Sequence, residues 1–215
     1  MEAGPGLTAR RLLRRARLAI PSLRGTGPTR AGPILVAAGL ALLLGWAGTL
    51  AAAEVLQLGA EDRWARSVGA DGLAEGPGRV PPPPALARPL GGVDFRLRVP
   101  RLGYRALVRE GVAPDVLFAG PGHYPETRWP GQPGNVGVAA HNVYWLRFDR
   151  LAPGDELILD TRYGSFRYRV TGSRVVDPAD RSVLADTPGH RLTLTTCWPL
   201  WAGQLAPSRL AIFAA

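Results

Sequence analysis

The chain has 215 residues, of which 46% are hydrophobic, and a formal net charge of +9. Residues 1–32 carry seven arginines and one acid and so hold +6 of that charge, while the rest of the chain balances 19 arginines against 16 acids. This distribution argues against a nucleic acid partner, and a single cysteine, Cys197, excludes an intramolecular disulfide.

The first element predicted along the chain is a membrane-spanning helix over residues 33–56. Residues 33–53 contain no charged side chain, and about 20 such residues in a helix cross a hydrocarbon core of about 30 Å. The arginine-rich residues 1–32 predict a cytoplasmic tail, with everything after Glu54 outside the membrane. A cleaved signal peptide is the alternative, because the alanines at 51–53 would suit a signal peptidase, but the apolar run is longer than a usual signal sequence.

Residues 57–92 predict a linker rich in proline and glycine. The segment 76–78 reads Gly-Pro-Gly, and four consecutive prolines at 81–84 favour an extended polyproline geometry. A short helix could continue over residues 55–68, but no core is expected there. The linker would act as a spacer between the membrane and the next domain.

Residues 93–215 predict one all-β domain with minor helix. Its short segments are apolar or alternate apolar with polar residues, and glycine and proline turns separate them. The predicted strands are 95–99, 104–108, 136–140, 156–160, 165–170, 192–196 and 210–213. Seven or so such strands favour a closed barrel or a sandwich.

Three polar residues stand at the ends of predicted strands. His141 and Cys197 each follow a strand, and Arg209 opens the last one. A cysteine nucleophile needs its thiolate, which a neighbouring positive charge stabilises, and a histidine can protonate a departing amine. An arginine can hold a substrate carbonyl or a developing oxyanion. These residue types together suit acyl transfer through a thioester.

Residue type alone leaves other interpretations open. A lone cysteine is more often a buried hydrophobe, and an arginine more often forms a surface ion pair. His123 lies in a Gly/Pro loop that it would fix by hydrogen bonding, and His190 is expected to be a solvated turn residue.

Several motifs strengthen the catalytic interpretation. The segment 193–197, Thr-Leu-Thr-Thr-Cys, matches the TLxTC signature of sortases, the cysteine transpeptidases of bacterial surfaces. Other segments resemble motifs of class D and class E sortases and occur in the family's order: 120–125, 130–135, 151–155, 176–180, 198–201 and 206–209. The resemblance covers roughly residues 95–215.

The resemblance implies a closed eight-stranded β-barrel with short helices, preceded by a single N-terminal transmembrane helix. In that family Cys197 would correspond to the nucleophile, His141 to the general acid/base and Arg209 to the arginine that binds substrate or stabilises the oxyanion. His123 resembles a structural loop histidine. One departure is that these families usually have Gly-His-Arg at the histidine, whereas this chain has Ala-His-Asn, with Asn142 last. This difference bears on substrate preference more than on reaction type.

The resemblance also implies a function at the cell surface. The chain would cleave a C-terminal sorting signal of a secreted protein through a Cys197 thioester and transfer that protein to an amine of a cell-wall precursor or a pilin. It would be a single-pass membrane protein with an extracellular catalytic domain. No cofactor is expected, because no cluster has metal-ligand spacing. The sequence leaves open whether loop acids such as Asp149 or Asp155 bind calcium.

Three alternatives remain at this stage. An L,D-transpeptidase also uses cysteine and histidine, but it normally has them close together in a Ser-His-Gly-x-Cys arrangement that this chain lacks. An extracellular cysteine peptidase would release its product to water, so an amine-acceptor assay distinguishes it. The third alternative is a catalytically inactive β-barrel that only binds peptide.

Overall fold

The computed structural model describes residues 31–68 and 80–215. The predicted cytoplasmic tail, apart from its last two residues, and residues 69–79 of the predicted linker lie outside the described residues. The chain divides into two compact units, residues 1–44 and 45–215. The first unit contributes the beginning of a long helix, and the second contains the rest of that helix and a closed β-barrel.

Helix α1 spans Ala31–Val68. Its apolar part is long and apolar enough to cross a membrane by length and composition. Leucine side chains along it, such as Leu35 and Leu42, are exposed. The predicted N-terminal apolar helix is therefore confirmed, and it extends twelve residues beyond residue 56, where the predicted membrane span ends.

Eight strands close into a barrel in the order β1-β2-β3-β4-β7-β8-β6-β5. They are β1 Val93–Val99, β2 Tyr104–Glu110, β3 Gly122–His123, β4 Gly134–Ala139, β5 Glu156–Thr161, β6 Gly164–Val176, β7 His190–Trp198 and β8 Ser208–Ala214. Helix α2 spans Pro114–Ala119, and short 3-10 helices span Pro100–Leu102, Asn142–Tyr144, Phe148–Arg150, Arg181–Leu184 and Leu200–Leu205. The expected eight-stranded barrel is confirmed.

Strand alternation builds the barrel core. In β1, Phe95, Leu97 and Val99 are fully buried, because every second side chain of a strand points to the same face. The other strands contribute Val108, Val136, Val138, Leu157, Leu159, Leu192, Leu194, Leu210 and Ile212 to the same core. The apolar segments seen in the sequence are therefore the inner wall of the barrel.

A second, smaller core lies outside the barrel. Ala60 and Trp64 of α1 are each only 2% exposed and pack with Val93 and Leu107. Sequence analysis expected no core in this part of the chain. The difference arises because Ala60 and Trp64 are four residues apart, which places them on one face of the helix. The proposed domain boundaries stay predictions.

Polar contacts also fasten this part of α1 to the barrel and to α2. The side-chain amide of Gln57 donates to the carbonyl of Ala119 at 2.6 Å, at the end of α2. Glu61 and Arg96 of β1 form an ion pair at 2.6 Å. Residues 57–64, which fall in the predicted linker, therefore pack against the outside of the barrel.

Candidate functional site

Strand pairing brings His141, Cys197 and Arg209 to one end of the barrel. Strands β4 and β7 are parallel neighbours, with Ala139 opposite Thr195, and both run toward this end. Strand β8 starts there and is antiparallel to β7, so that Arg209 lies directly opposite Cys197. His141 follows Ala139 by two residues. Cys197 and Arg209 are therefore direct cross-strand neighbours, and His141 follows the end of the strand on the other side of β7.

Hydrogen bonds from the segment after β4 to strand β7 and to the loop after β7 hold His141 beside the cysteine strand. The backbone N–H of Ala140 donates to the carbonyl of Thr195 at 3.2 Å, and the Thr196 hydroxyl donates to the carbonyl of Ala140 at 2.9 Å. The side-chain amide of Asn142 donates to the carbonyl of Leu200 in the loop after Cys197. The residues on both sides of His141 are therefore tied to β7 or to the loop that follows it.

Electrostatics at the site favour a neutral histidine. Partial burial and the positive charge of Arg209 both lower the pKa of the His141 imidazole. Cys197 is half-buried and has a free thiol. The Arg209 guanidinium donates to the carbonyl of Ser208 at 3.1 Å. The site thus combines a thiol, a weakly basic imidazole and a guanidinium.

A small cavity borders the site on the Arg209 side. Its volume is about 50 Å³, and its lining includes Tyr124, Thr195, Arg209 and parts of residues 176–184. The Tyr124 hydroxyl lies 3.0 Å from the Thr195 hydroxyl, and the Arg181 guanidinium lies 5.3 Å from the centre of the Tyr124 ring. Sequence analysis did not single out Tyr124, although it follows His123 in a motif already noted.

Asn142 is the second residue whose contribution sequence analysis missed. The sequence marks it only as a departure from the Gly-His-Arg pattern. In the structure it is 6% exposed and its amide bonds to the loop after Cys197. Its position directly after His141 was the available signal, but nothing in the sequence indicated which loop its amide would reach.

His123 is buried, and both of its ring nitrogens have hydrogen-bond partners. It is 2% exposed, its Nδ1 lies 2.7 Å from the carboxylate of Asp94, and its Nε2 lies 3.1 Å from the carbonyl of Arg128. A carbonyl only accepts hydrogen bonds, so Nε2 carries a proton and donates it. The rings of Phe95 and Trp129 contact the imidazole edge to face. These contacts fix the loop, as the sequence indicated.

Replacing His123 with leucine is expected to lower the free energy of unfolding by about 3–5 kcal/mol, because the carboxyl group of Asp94, itself 2% exposed, would lose the partner of its Oδ2 while it stays buried. The matched control is His190→Leu, since His190 is exposed at the start of β7 and its Nδ1 lies 3.0 Å from the carbonyl oxygen of Gln132. We expect the control to change the free energy by less than about 0.5 kcal/mol. Urea unfolding followed by tryptophan fluorescence measures both, and equal losses would contradict this account.

The described residues offer no metal centre. Within residues 31–68 and 80–215, no group of three or more His, Cys, Asp or Glu side chains could hold a metal ion. Asp155, one of the loop acids considered for calcium, accepts the backbone N–H of Ala152 at 2.8 Å and pairs with Arg101 at 3.0 Å. Asp149 is exposed.

The comparisons with known proteins agree on one family. Residues 97–215 match the family model of the sortase domain. Sortase D of Bacillus subtilis is 31% identical over 119 residues, which is 54% of this chain and 60% of that protein. The chain spans less than two thirds of the length of the curated relatives it matches, 60% and 57%.

Solved structures agree with this assignment. A mutant of sortase E from Streptomyces avermitilis is 32% identical, with a TM-score of 0.51 over 59% of this chain and 89% of that one. A sortase D5 transpeptidase of Clostridium perfringens is 27% identical, with a TM-score of 0.52 over 57% of this chain and 77% of that one.

Proposed function

The chain belongs to the sortase family, and on that premise we propose that it is a membrane-anchored cysteine transpeptidase. It cleaves a C-terminal sorting signal of a secreted protein and transfers that protein to an amine acceptor at the cell surface. The observation that carries the proposal is the placement of Cys197 opposite Arg209, with His141 two residues beyond the end of the neighbouring parallel strand β4.

In the first half-reaction, the Cys197 thiolate attacks the carbonyl carbon of the scissile peptide bond. A carbon–sulfur bond forms, and negative charge develops on the carbonyl oxygen, which the Arg209 guanidinium stabilises. The carbon–nitrogen bond then breaks while the protonated His141 donates its proton to the leaving amine. An acyl-thioester remains on Cys197.

In the second half-reaction, a primary amine attacks the thioester carbonyl. His141, now neutral, accepts the proton of the attacking amine, and the carbon–sulfur bond breaks to restore the thiolate. The lowered pKa of His141 makes its imidazolium a stronger proton donor but reduces the protonated fraction at neutral pH. Arg209 therefore influences the histidine as well as the oxyanion.

The anchor and the partners complete the proposal. Helix α1 spans the membrane once, residues 1–32 are cytoplasmic, and the barrel is extracellular. The length and composition of α1 support this topology, as does the arginine excess of residues 1–32. The partners are secreted proteins with sorting signals and an amine of a cell-wall precursor or a pilin.

Intact-protein mass spectrometry tests the chemistry directly. The protein is incubated with a library of Leu-Pro-x-Thr-type and Leu-Ala-x-Thr-type peptides, and we expect the acyl half of one peptide to add to Cys197 and to leave when an amine is supplied. Release to water in preference to a saturating amine would indicate a peptidase instead. No adduct with any peptide, together with a thiol that resists small alkylating agents, would mean that Cys197 is a buried core residue.

Asn142 is expected to position His141 for this reaction. In Asn142→Ala the bond to the loop after Cys197 is lost, and we expect kcat to fall about 10- to 100-fold, since small displacements of reacting groups cost rates of this order. Asn142→Asp is the matched variant, because it keeps the volume but cannot donate to the Leu200 carbonyl when ionised. The KM for peptide and the alkylation of Cys197 should change little in both. An unchanged kcat would exclude this role.

A further inference from the structure

Five exposed apolar side chains surround the site end of the barrel. They lie in the loops after β4 and β7 and at α2, and together they form what we call the apolar rim: Phe118 at 46% exposed, Val143 at 43%, Leu146 at 60%, Trp201 at 85% and Leu205 at 91%. A tryptophan and a leucine so fully exposed on one short loop are unusual for a surface that meets only water.

The segments that carry the rim side chains contain no charges, although the loop after β4 continues to Arg147 and α2 begins beside the exposed Asp115. Residues 198–208, between Cys197 and Arg209, include no Asp, Glu, Lys or Arg. The same is true of residues 142–146 after His141 and of residues 116–122 around Phe118. Moving these segments into an apolar medium would therefore require no charged side chain to lose its hydration, which is the largest cost of such a transfer.

Hydrogen bonds join the three segments into one surface. Asn142 donates to the carbonyl of Leu200, which links the loop after β4 to the loop after β7. The Tyr144 hydroxyl donates to the carbonyl of Phe118, which links the loop after β4 to α2. The rim is therefore a connected edge around the site and not a set of independent loops.

Helix α1 identifies what this surface meets. Within the second unit, Trp64 packs near Val93 at the start of β1, whereas Gln57 bonds to Ala119 beside Phe118 of the rim. Followed from Trp64 back to Gln57, the helix thus runs toward the rim, and Val55 and Leu58, on either side of Gln57, are exposed apolar residues. The exposed apolar residues of this part of the helix therefore lie near the α2 end of the rim.

Residue type and charge favour a lipid bilayer as the occupant. Tryptophan is enriched at the interface between lipid and water, where its amphipathic ring suits both media. Arg147 and Arg150, both exposed, border the rim with Asp149 as the acid between them, which gives this segment a net positive charge. Arginine at this position complements anionic lipid headgroups.

We infer that the apolar rim lies in the outer interface of an anionic lipid bilayer, so that the site opens toward the membrane surface. The inference rests on the membrane anchor of the proposed function. In this arrangement Trp201 and Leu205 enter the headgroup region, and Cys197 lies close to the plane of the membrane. The site would then meet peptides and amines presented at the lipid surface.

The test uses the full chain in vesicles of phosphatidylcholine and phosphatidylglycerol. Cys197→Ala removes the only thiol, and Trp201→Cys in that background carries an environment-sensitive fluorophore on the rim. The matched variant His190→Cys carries the same fluorophore at the exposed start of β7, at the other end of the barrel. We expect blue-shifted emission that brominated lipids quench at position 201, and emission that aqueous iodide quenches at position 190.

The outcomes separate this inference from the proposed function. If the chain floats with the vesicles but iodide quenches both positions equally, the rim does not touch lipid and the inference is wrong while the anchor stands. If emission at position 201 is blue-shifted only at high protein density and is insensitive to brominated lipid, a second copy covers the rim and the inference is likewise wrong. A chain that does not float with the vesicles overturns the anchor and this inference together. None of these results changes the peptide-adduct assay, which tests the chemistry by itself.

Discussion

Replacing Cys197 with alanine is expected to abolish the peptide adduct and to reduce turnover by at least about 10,000-fold, as loss of the nucleophile does in enzymes that form an acyl intermediate. The barrel should remain folded, because Cys197 is half-buried and its sulfur has no disulfide partner. Mass spectrometry and rate measurements with the peptide identified in the library give both results.

Alkylation of the unmodified chain provides the control. The sequence contains one thiol, so a single added mass reports modification of Cys197 alone, and activity should disappear in proportion to it. Urea unfolding of Cys197→Ala should give a free energy within about 1 kcal/mol of that of the unmodified chain. Substantial turnover by the folded alanine variant would exclude the thioester mechanism.

Replacing Arg209 with glutamine is expected to have two separable effects. Removing its positive charge should raise the pKa of His141, since that charge is one of the two causes that lower it. Because the proposed mechanism has Arg209 stabilise the developing oxyanion, turnover should also fall about 100- to 1000-fold. NMR titration of the imidazole protons measures the first effect, and initial rates measure the second.

The direction of the pKa change provides a specific check on this arrangement. In Arg209→Gln the midpoint of the His141 titration moves to higher pH, and the ionisation of His141 in the pH–rate profile should move in the same direction. Burial still lowers the pKa, so the shift recovers only part of the difference. Arg169→Gln is the matched control, because Arg169 is exposed on β6, where its backbone pairs with that of Ala215. A midpoint that moves equally in both variants, or in neither, would contradict the assigned proximity.

Much of the fold could be predicted from local patterns. Residues 95–99 and 192–195 alternate apolar with polar side chains, as strands of a barrel wall do, and a charge-free run of about 20 residues is by itself evidence of a helix that could span a membrane. Cys197 and His141 could be selected because a TLxTC motif and a strand-terminal histidine are both visible in the sequence.

Features that depend on distant contacts could not be predicted. The strand predicted over residues 165–170 extends in the structure to Val176, because β6 continues through an irregularity near Gly172 to pair with β8. The two-residue strand β3 has no detectable period of its own. Asn142 likewise depends on a partner 58 residues away.

The packing of α1 against β1 and β2 has a consequence for engineering. Exchanging the anchor of this protein for that of another at residue 92 would remove Ala60 and Trp64, and with them the cover of Val93 and Leu107. The anchor and the barrel are therefore not interchangeable modules. A chimera whose barrel stays soluble would have to join its foreign segment upstream of Gln57. The last turns of the helix, residues 57–68, would then remain part of the same chain segment as the barrel.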